Sequence, residues 1–294
     1  MIYLSLADSI FKSMCEDIIE NGTNTQGQKV RPEWPDTGEK AYTIKKFGVC
    51  NRYDLRKEFP ALTFRPTPLK SALDEIFWIY QKKSSNVNDL NSHIWDEWAD
   101  ESGSIGHAYG AVIKDTYIHH FDKIGTIKVP SVMNQMDAVL YDLKHTPFSR
   151  RIMTNMYDFQ HLYEMHLHPC AYSCTFNVTD EGGDKLVLNL LLNQRSQDVL
   201  VANNWNVAQY AMLLMMVAQV SDMVPGELVH MIADAHIYDR HVDIIKELIS
   251  RESYDAPTVT FDPDIKDFYK FTIESMKVEN YKAGPQIKNI PVAV

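Results

Sequence analysis

The sequence predicts a single mixed α/β domain of the α+β type spanning residues 1–294, in which a large mixed sheet packs on helices and one helix is buried at the centre. Three observations predict it. A turn signature, DEGGD at Asp180 to Asp184, joins two strand-like runs into a hairpin. Asn204 to Val220 (NWNVAQYAMLLMMVAQV) is apolar around nearly its whole circumference, which only a helix inside the protein tolerates. Strands and helices interleave without a βαβ period, a repeat or a low-complexity tract. At 294 residues, with 45% hydrophobic and 23% charged residues, the chain is long enough to bury most of its apolar surface without disulfide or metal staples.

The elements follow in chain order. Met1 to Asn21 places Ile2, Leu6, Ile10, Met14 and Ile18 on one stripe with Asp8, Glu16, Asp17 and Glu20 between them, an amphipathic helix that lacks the basic start of a signal peptide. Gly22 to Tyr42 is polar, carries Pro32 and Pro35 and has neither period; it exceeds the ~12–15 residues that compact domains leave irregular, so it is either disordered or functional. Thr67 as cap and Pro68 at the first helical position open a helix reaching Gln81, with Leu69, Leu73, Ile76, Phe77 and Tyr80 on one stripe. A polar stretch, Lys82 to Ser92, leads to the aromatic and acidic block Ile94 to Gly103, and helix returns at Asn134 to Lys144.

Tyr172 to Thr179 and Leu186 to Arg195 are the hairpin strands, and a turn centred near Gly182 brings Arg195 opposite Cys170. After the central helix, Pro225 and Gly226 turn the chain into a strand at Glu227 to Ile237. A helix at His241 to Arg251 and strands at Val259 to Phe261 and Met276 to Tyr281 complete the domain.

A formal net charge of -10 argues against wrapping nucleic acid or resting on an anionic membrane, and no apolar stretch reaches the ~18 residues of a spanning helix. Cys15, Cys50, Cys170 and Cys174 form no CxxC, so reduced thiols in a cytoplasm are expected. GxxxxGK[ST], GxGxxG and HExxH do not occur. His161, His166 and His168 fit no standard zinc spacing, so they are expected in loops and on the surface and no metal is expected. Cys170 stands out because Pro169 precedes it, a strand follows and an arginine is placed opposite; a free thiol is only a few per cent thiolate at neutral pH, and a nearby guanidinium is expected to lower its pKa. Cys174, on the same strand without such a partner, reads as packing. Arg31, Arg150, Arg151 and Arg195, from distant segments of an acidic chain, read together as a phosphomonoester site, since guanidinium pairs with phosphate bidentately.

The stretches HPCAYSCTFNV, NQRSQDV, WNVAQYAMLLMMVAQ and DAHIYDRHVD, in that order, resemble the folate-dependent thymidylate synthase family. The resemblance extends to SRRIM, HIWDEWADESGSIGHAYG, DEIFWI and the terminal PVAV, and so covers essentially the whole chain. It implies reductive methylation of dUMP to dTMP, with 5,10-methylenetetrahydrofolate giving carbon and hydride and leaving as dihydrofolate. By the same resemblance Cys170 adds to uracil C6 and Arg195 holds the phosphate and activates Cys170. Arg31 and Ser196 also serve the phosphate, while Arg150 and Arg151 are donated to the neighbouring site of a homodimer joined through a sheet face. Asn206 reads the uracil edge, donating to O4 and accepting from N3. His236 and Tyr238 meet the ribose. Asp198 belongs to the nucleotide set and also meets the pterin ring, and Glu75 and Tyr109 organise proton transfers through water. Ile94, Trp95, Leu167, Ala293 and Val294 match folate-lining positions, the last closing over the site, and Arg65 matches a polyglutamate contact. On its helix Glu75 falls beside Ile79, where partial burial raises a carboxyl pKa.

Departures from the family pattern are Ala171 where many members have histidine, Asn203 and Asn204 in place of leucine-proline, Ala202 in place of a glycine, and Ile232 and Ala233 in place of a Gly-Gly pair. The alternative is a pyrimidine hydroxymethylase of the same fold, which captures water in place of hydride; Asn206 disfavours its cytosine form and Trp95 its uracil form. An RNA-binding role is disfavoured by the charge, and a catalytically dead nucleotide-binding module by the intact set of Cys170, Arg195 and Asn206.

Overall fold

The computed structural model describes residues 4–124 and 126–294, so the expected start of the first helix at Met1 and Ile2 lies outside the described residues. α1 (Leu6–Asn21) begins where the Ser5 hydroxyl accepts from the Asp8 N–H at 3.2 Å. Asp8 is buried, against the expectation of a polar face: its carboxylate accepts from the Thr63 backbone and from the Thr63 and Ser253 hydroxyls, which ties α1 to the rest of the domain. The Gly22 to Tyr42 segment is folded. It includes the short strand β1 (Thr23–Asn24) and buries Trp34, whose indole N–H reaches Asp239 at 3.2 Å while the Arg240 guanidinium covers its ring.

β2 (Thr43–Asp54) follows, then α2 (Leu69–Ile76), which starts one residue later than expected, with Pro68 at the cap position. Thr67 accepts instead from the Asn204 side chain at 3.1 Å. Phe77 to Gln81 continue α2 as a π-helical turn. α3 (Gly110–Lys114), the ribbon β3 (Thr116–Ile124) and β4 (Ile127–Asn134), α4 (Gln135–His145) and β5 (Met153–Asn155) lead to the hairpin β6 (Ala171–Thr179) and β7 (Val187–Gln194). β8 (Gln197–Asp198), α5 (Asn203–Val220), β9 (Val224–Tyr238), α6 (Val242–Leu248), β10 (Thr258–Phe261) and β11 (Met276–Glu279) finish the order.

The main sheet runs β1-β2-β9-β7-β6-β5, with β8 paired to β9. β7 and β8 run parallel to β9 and the other pairs are antiparallel, so the chain must cross over between β7 and β9, and α5 is that crossover. α5 lies between α2 and the sheet, with Ala208, Ala211, Leu213 and Leu214 wholly buried, as its all-round apolar sequence requires. The opposite face of β6, β7 and β9 alternates half-buried residues such as Thr175, Asn193 and Met231. The β3–β4 ribbon is exposed at Phe121, Ile124 and Ile127. β3 carries no regular alternation of burial, and β2 alternates only from Val49 to Tyr53, so neither shows a strand period along its whole length.

Candidate active site

The functional side chains meet where β7, β8 and β9 end and α5 begins. The hairpin ladder pairs Thr179 with Val187 through Ser173 with Asn193, then shifts at an irregularity between Ser173 and Ala171 that sets Ala171 opposite Gln194. The shift brings the Arg195 N–H to the Cys170 carbonyl at 2.9 Å, the register expected from the turn. Gly182, at φ +76°, supplies the left-handed backbone of that turn. The Arg195 side chain is held by backbone acceptors: Nε donates to the Pro169 carbonyl at 2.9 Å and an Nη to that of His168 at 2.6 Å.

Cys170 is partly buried and Cys174 wholly buried. Burial pushes the Cys170 thiol above its ordinary pKa, and the Arg195 charge opposes this without reversing it. The expected net lowering is therefore corrected: arginine and thiol are adjacent as predicted, but desolvation dominates in the protein alone. Cys174 is pushed up to about 12 by burial, beside the Tyr80 hydroxyl at 3.6 Å, consistent with packing.

Tyr109 approaches Cys170 from another segment, its hydroxyl accepting from the Cys170 backbone N–H at 3.2 Å. Its backbone sits at φ +48°, a conformation that non-glycine residues adopt only under constraint. The glycines near it are closely packed: a Cβ on Gly106 would lie 1.8 Å from the Glu164 carbonyl oxygen, and one on Gly110 2.2 Å from that of Ser84. Glu75 is buried on α2, and burial raises its pKa to about 7 against indole N–H bonds from Trp95 at 3.0 Å and Trp205 at 2.7 Å, which favour the ionised form. That value suits a group that must both take and give a proton near neutrality.

Asn206, in the first turn of α5, accepts from the Gln194 amide at 3.1 Å and donates to Gln209 at 2.9 Å. His236 is buried and bonds Asp234 at 2.9 Å; Tyr238 packs edge-on to His236 and Trp34. Burial and Asp198 push Tyr238 up to about 12, while Arg31 opposes them, which places the Arg31 charge near this ring. Ser196 lies between β7 and β8, and Asp198 on β8 lies 3.7 Å from the His241 ring and accepts from the Val201 N–H.

Of nine arginines, Arg52, Arg56, Arg240 and Arg251 pair with carboxylates. Arg31, Arg150, Arg151 and Arg195 have no carboxylate partner among the described residues, which leaves their charge available to an anion. Arg150 and Arg151 lie exposed after α4, away from this gathering; Arg151 borders an open groove of about 790 Å³ lined by Tyr117, His119 and Asp142 and by none of the residues around Cys170.

Among the folate candidates, Trp95 is buried against Tyr109, Leu167 and Ala293 are half-buried, and Ile94 and Val294 are exposed. Val294 exchanges backbone hydrogen bonds with Glu33 at 2.8 and 3.0 Å, joining the chain's end to the segment that carries Arg31. Arg65 does not reach outward as a polyglutamate contact must. It is buried, donating to the Leu200 carbonyl and to Asn204 at 3.3 Å, so the asparagine that departs from the family pattern accepts from a buried guanidinium.

His161 lies in a turn and is half-buried, as expected of a loop residue. It bonds Asp158 at 2.6 Å and its ring lies 4.5 Å from that of His107, which bonds Asp115 at 2.7 Å. Each imidazole thus has a carboxylate partner. Trp205, Gln194 and Gln209 are site residues that sequence reading passed over; Gln209 was open to detection, standing three residues after Asn206 on one helix face.

Comparison with known proteins bears on the whole chain. The thymidylate synthase family model matches residues 9–294. A thymidylate synthase of Bacillus subtilis subsp. natto is 37% identical over 284 residues, covering 95% of this chain and 96% of that one. The thymidylate synthase of Bacillus phage phi3T is 36% identical over 95% of this chain and 96% of its own. The solved structure of thermostable thymidylate synthase A from Bacillus subtilis superposes with a TM-score of 0.87 at 38% identity, covering 98% of this chain and 99% of that one. With matches of that extent in both sequence and fold, the chain belongs to the thymidylate synthase family, the methyltransferases that convert dUMP to dTMP.

Proposed function

We propose that Cys170 carries this reaction by covalent catalysis, with 5,10-methylenetetrahydrofolate as the second substrate. The observation that carries the reading is the joint placement of a cysteine, a carboxylate-free arginine bound at its backbone, and a buried carboxyl with a pKa near 7. The Cys170 thiolate adds to uracil C6, which leaves electron density on C5. C5 attacks the folate methylene carbon as its bond to N10 breaks, and departure of the C5 proton through water held by Glu75 and Tyr109 breaks the remaining bond to N5, leaving an exocyclic methylene on C5 and free tetrahydrofolate. Hydride from the tetrahydropterin reduces the exocyclic methylene, thiolate is expelled from C6, and dTMP and dihydrofolate leave. Splitting one difficult substitution into these steps is the advantage of covalent catalysis.

In this reading Arg31, Arg195 and Ser196 hold the phosphate, His236 and Tyr238 the ribose and Asn206 the uracil edge. Asp198, Ile94, Trp95, Leu167, Ala293 and Val294 border nucleotide or folate. Arg150 and Arg151 act across a homodimer formed through the half-buried sheet face. The reduced cysteines and the lack, among the described residues, of a helix long and apolar enough to cross a membrane support a cytoplasmic setting.

Purified protein with dUMP and methylenetetrahydrofolate is expected to yield dTMP and one dihydrofolate per turnover, followed by dihydrofolate absorbance and product mass. Hydroxymethyl-dUMP without dihydrofolate would instead identify a hydroxymethylase. The shared site has its own test: a double Arg150→Ala, Arg151→Ala subunit mixed with a Cys170→Ala subunit is expected to recover about one quarter of wild-type activity after subunit exchange, since half the dimers then hold one complete site. No recovery despite demonstrated exchange would rule out sharing.

A further inference from the structure

A buried polar chain runs behind the base-reading asparagine. His230, wholly buried on β9, has its Nε2 at 2.7 Å from the Gln194 Oε1. Gln194 Nε2 donates to the Asn206 Oδ1 at 3.1 Å and to the Ser196 carbonyl at 3.2 Å, and Asn206 Nδ2 donates to the Gln209 Oε1 at 2.9 Å. Every bond points the same way, from His230 toward Gln209, whose amide group lies near enough to Glu75 to favour its ionised form. The histidine end is unpaired: His230 Nδ1 is buried without a hydrogen-bond partner among the described residues. A histidine on the inner face of a sheet with one nitrogen unsatisfied costs stability that an apolar residue would not. Burial also pushes its pKa down to about 3, so the ring is neutral and carries a single proton.

The direction of the chain decides which edge Asn206 presents. If Asn206 turned over, its NH₂ would face the Gln194 NH₂ and its oxygen the Gln209 oxygen, and both bonds would become repulsive. Gln194 itself is kept from turning by His230 at its oxygen and by the Ser196 carbonyl at its nitrogen. In the observed orientation the asparagine can offer N–H to a carbonyl and oxygen to a ring N–H, the pattern of uracil; turned over, it would match cytosine.

We propose that His230 is a specificity-positioning residue, whose Nε2–H fixes the amide orientation of Gln194 and through it that of Asn206, and so holds the site to uracil over cytosine nucleotides. The inference rests on the reading of Asn206 as the residue at the base edge.

The test compares His230→Phe, His230→Met and His230→Gln by kcat and KM for dUMP and by the inhibition constant of dCMP, with thermal unfolding to establish that each variant folds. His230→Phe and His230→Met are expected to narrow the preference for dUMP over dCMP by about tenfold or more, whereas His230→Gln, whose amide can still donate to Gln194, retains it. A uniform loss of kcat or stability with the preference unchanged overturns the proposal, as does a His230→Gln variant that loses the preference as fully as His230→Phe. If Phe does not fold, Met and Gln alone decide. Asn206→Asp is the control on the underlying reading: an unchanged preference there overturns both, whereas a changed preference there with unchanged His230 variants overturns only the role of His230.

Discussion

Cys170→Ala is expected to abolish turnover, by roughly 10⁴-fold or more, while dUMP binding persists within a few-fold, because the substitution removes the nucleophile and leaves every proposed nucleotide-binding side chain in place. Arg195 anchors itself on the carbonyls of His168 and Pro169 and not on the thiol, so its position survives the change. Cys174→Ala is the matched control. It lies four residues along, wholly buried beside Tyr80, and its loss should cost on the order of 1 kcal/mol of stability with kcat nearly intact. Steady-state kinetics, equilibrium dUMP binding and denaturant unfolding on the two variants separate the roles. A Cys170→Ala protein with substantial turnover would end the covalent mechanism.

Glu75→Gln is expected to lower kcat by about 10²- to 10⁴-fold, the range associated with losing a positioned acid-base group. It should also change how stability depends on pH. The Glu75 carboxyl has a pKa of about 7 in the folded protein against 4.5 for an unperturbed glutamate, because burial disfavours its ionised form more than the Trp95 and Trp205 indoles favour it. The folded state therefore holds this proton more tightly than the unfolded state. The stabilisation is complete below about pH 4.5 and is lost as pH rises through 7, a loss of about 3 kcal/mol at 1.4 kcal/mol per pH unit. Denaturant midpoints between pH 4.5 and 8 should fall more steeply for wild type than for Glu75→Gln, and parallel curves would mean that Glu75 does not titrate in this range. The Gln variant places an amide N–H against an indole N–H, so its stability at low pH should fall below that of wild type.

Much of the domain is legible in the sequence where the pattern of burial is regular. The hairpin of β6 and β7, the uniformly apolar α5 and the long β9 all bury residues in a repeating way; α5 and β9 carry Asn206, His236 and Tyr238, and Cys170 and Arg195 adjoin the ends of β6 and β7. Even the facing of Cys170 and Arg195 could be read from the position of a turn, and the one-residue shift near Ala171 delivers that register where the chemistry is placed. The largely exposed β3–β4 ribbon and β2, which alternates only from Val49 to Tyr53, escaped because strand periodicity is a record of one-sided burial, which they hold over only part of their length.

What sequence alone determined is the inventory and its order: the family, the candidate nucleophile, the set of arginines proposed for phosphate and the helix that must be central. Tertiary structure decided how those groups behave. The Cys170 thiol lies above and not below its ordinary pKa because desolvation outweighs one guanidinium, and Arg65 is a buried tie to Asn204 and not an outward contact. The orientation of Asn206 depends on a histidine on another strand, thirty-six residues beyond Gln194 in sequence. Residue type and local period specify which elements form, whereas desolvation and hydrogen-bond direction are sums over neighbours that only the folded chain brings together.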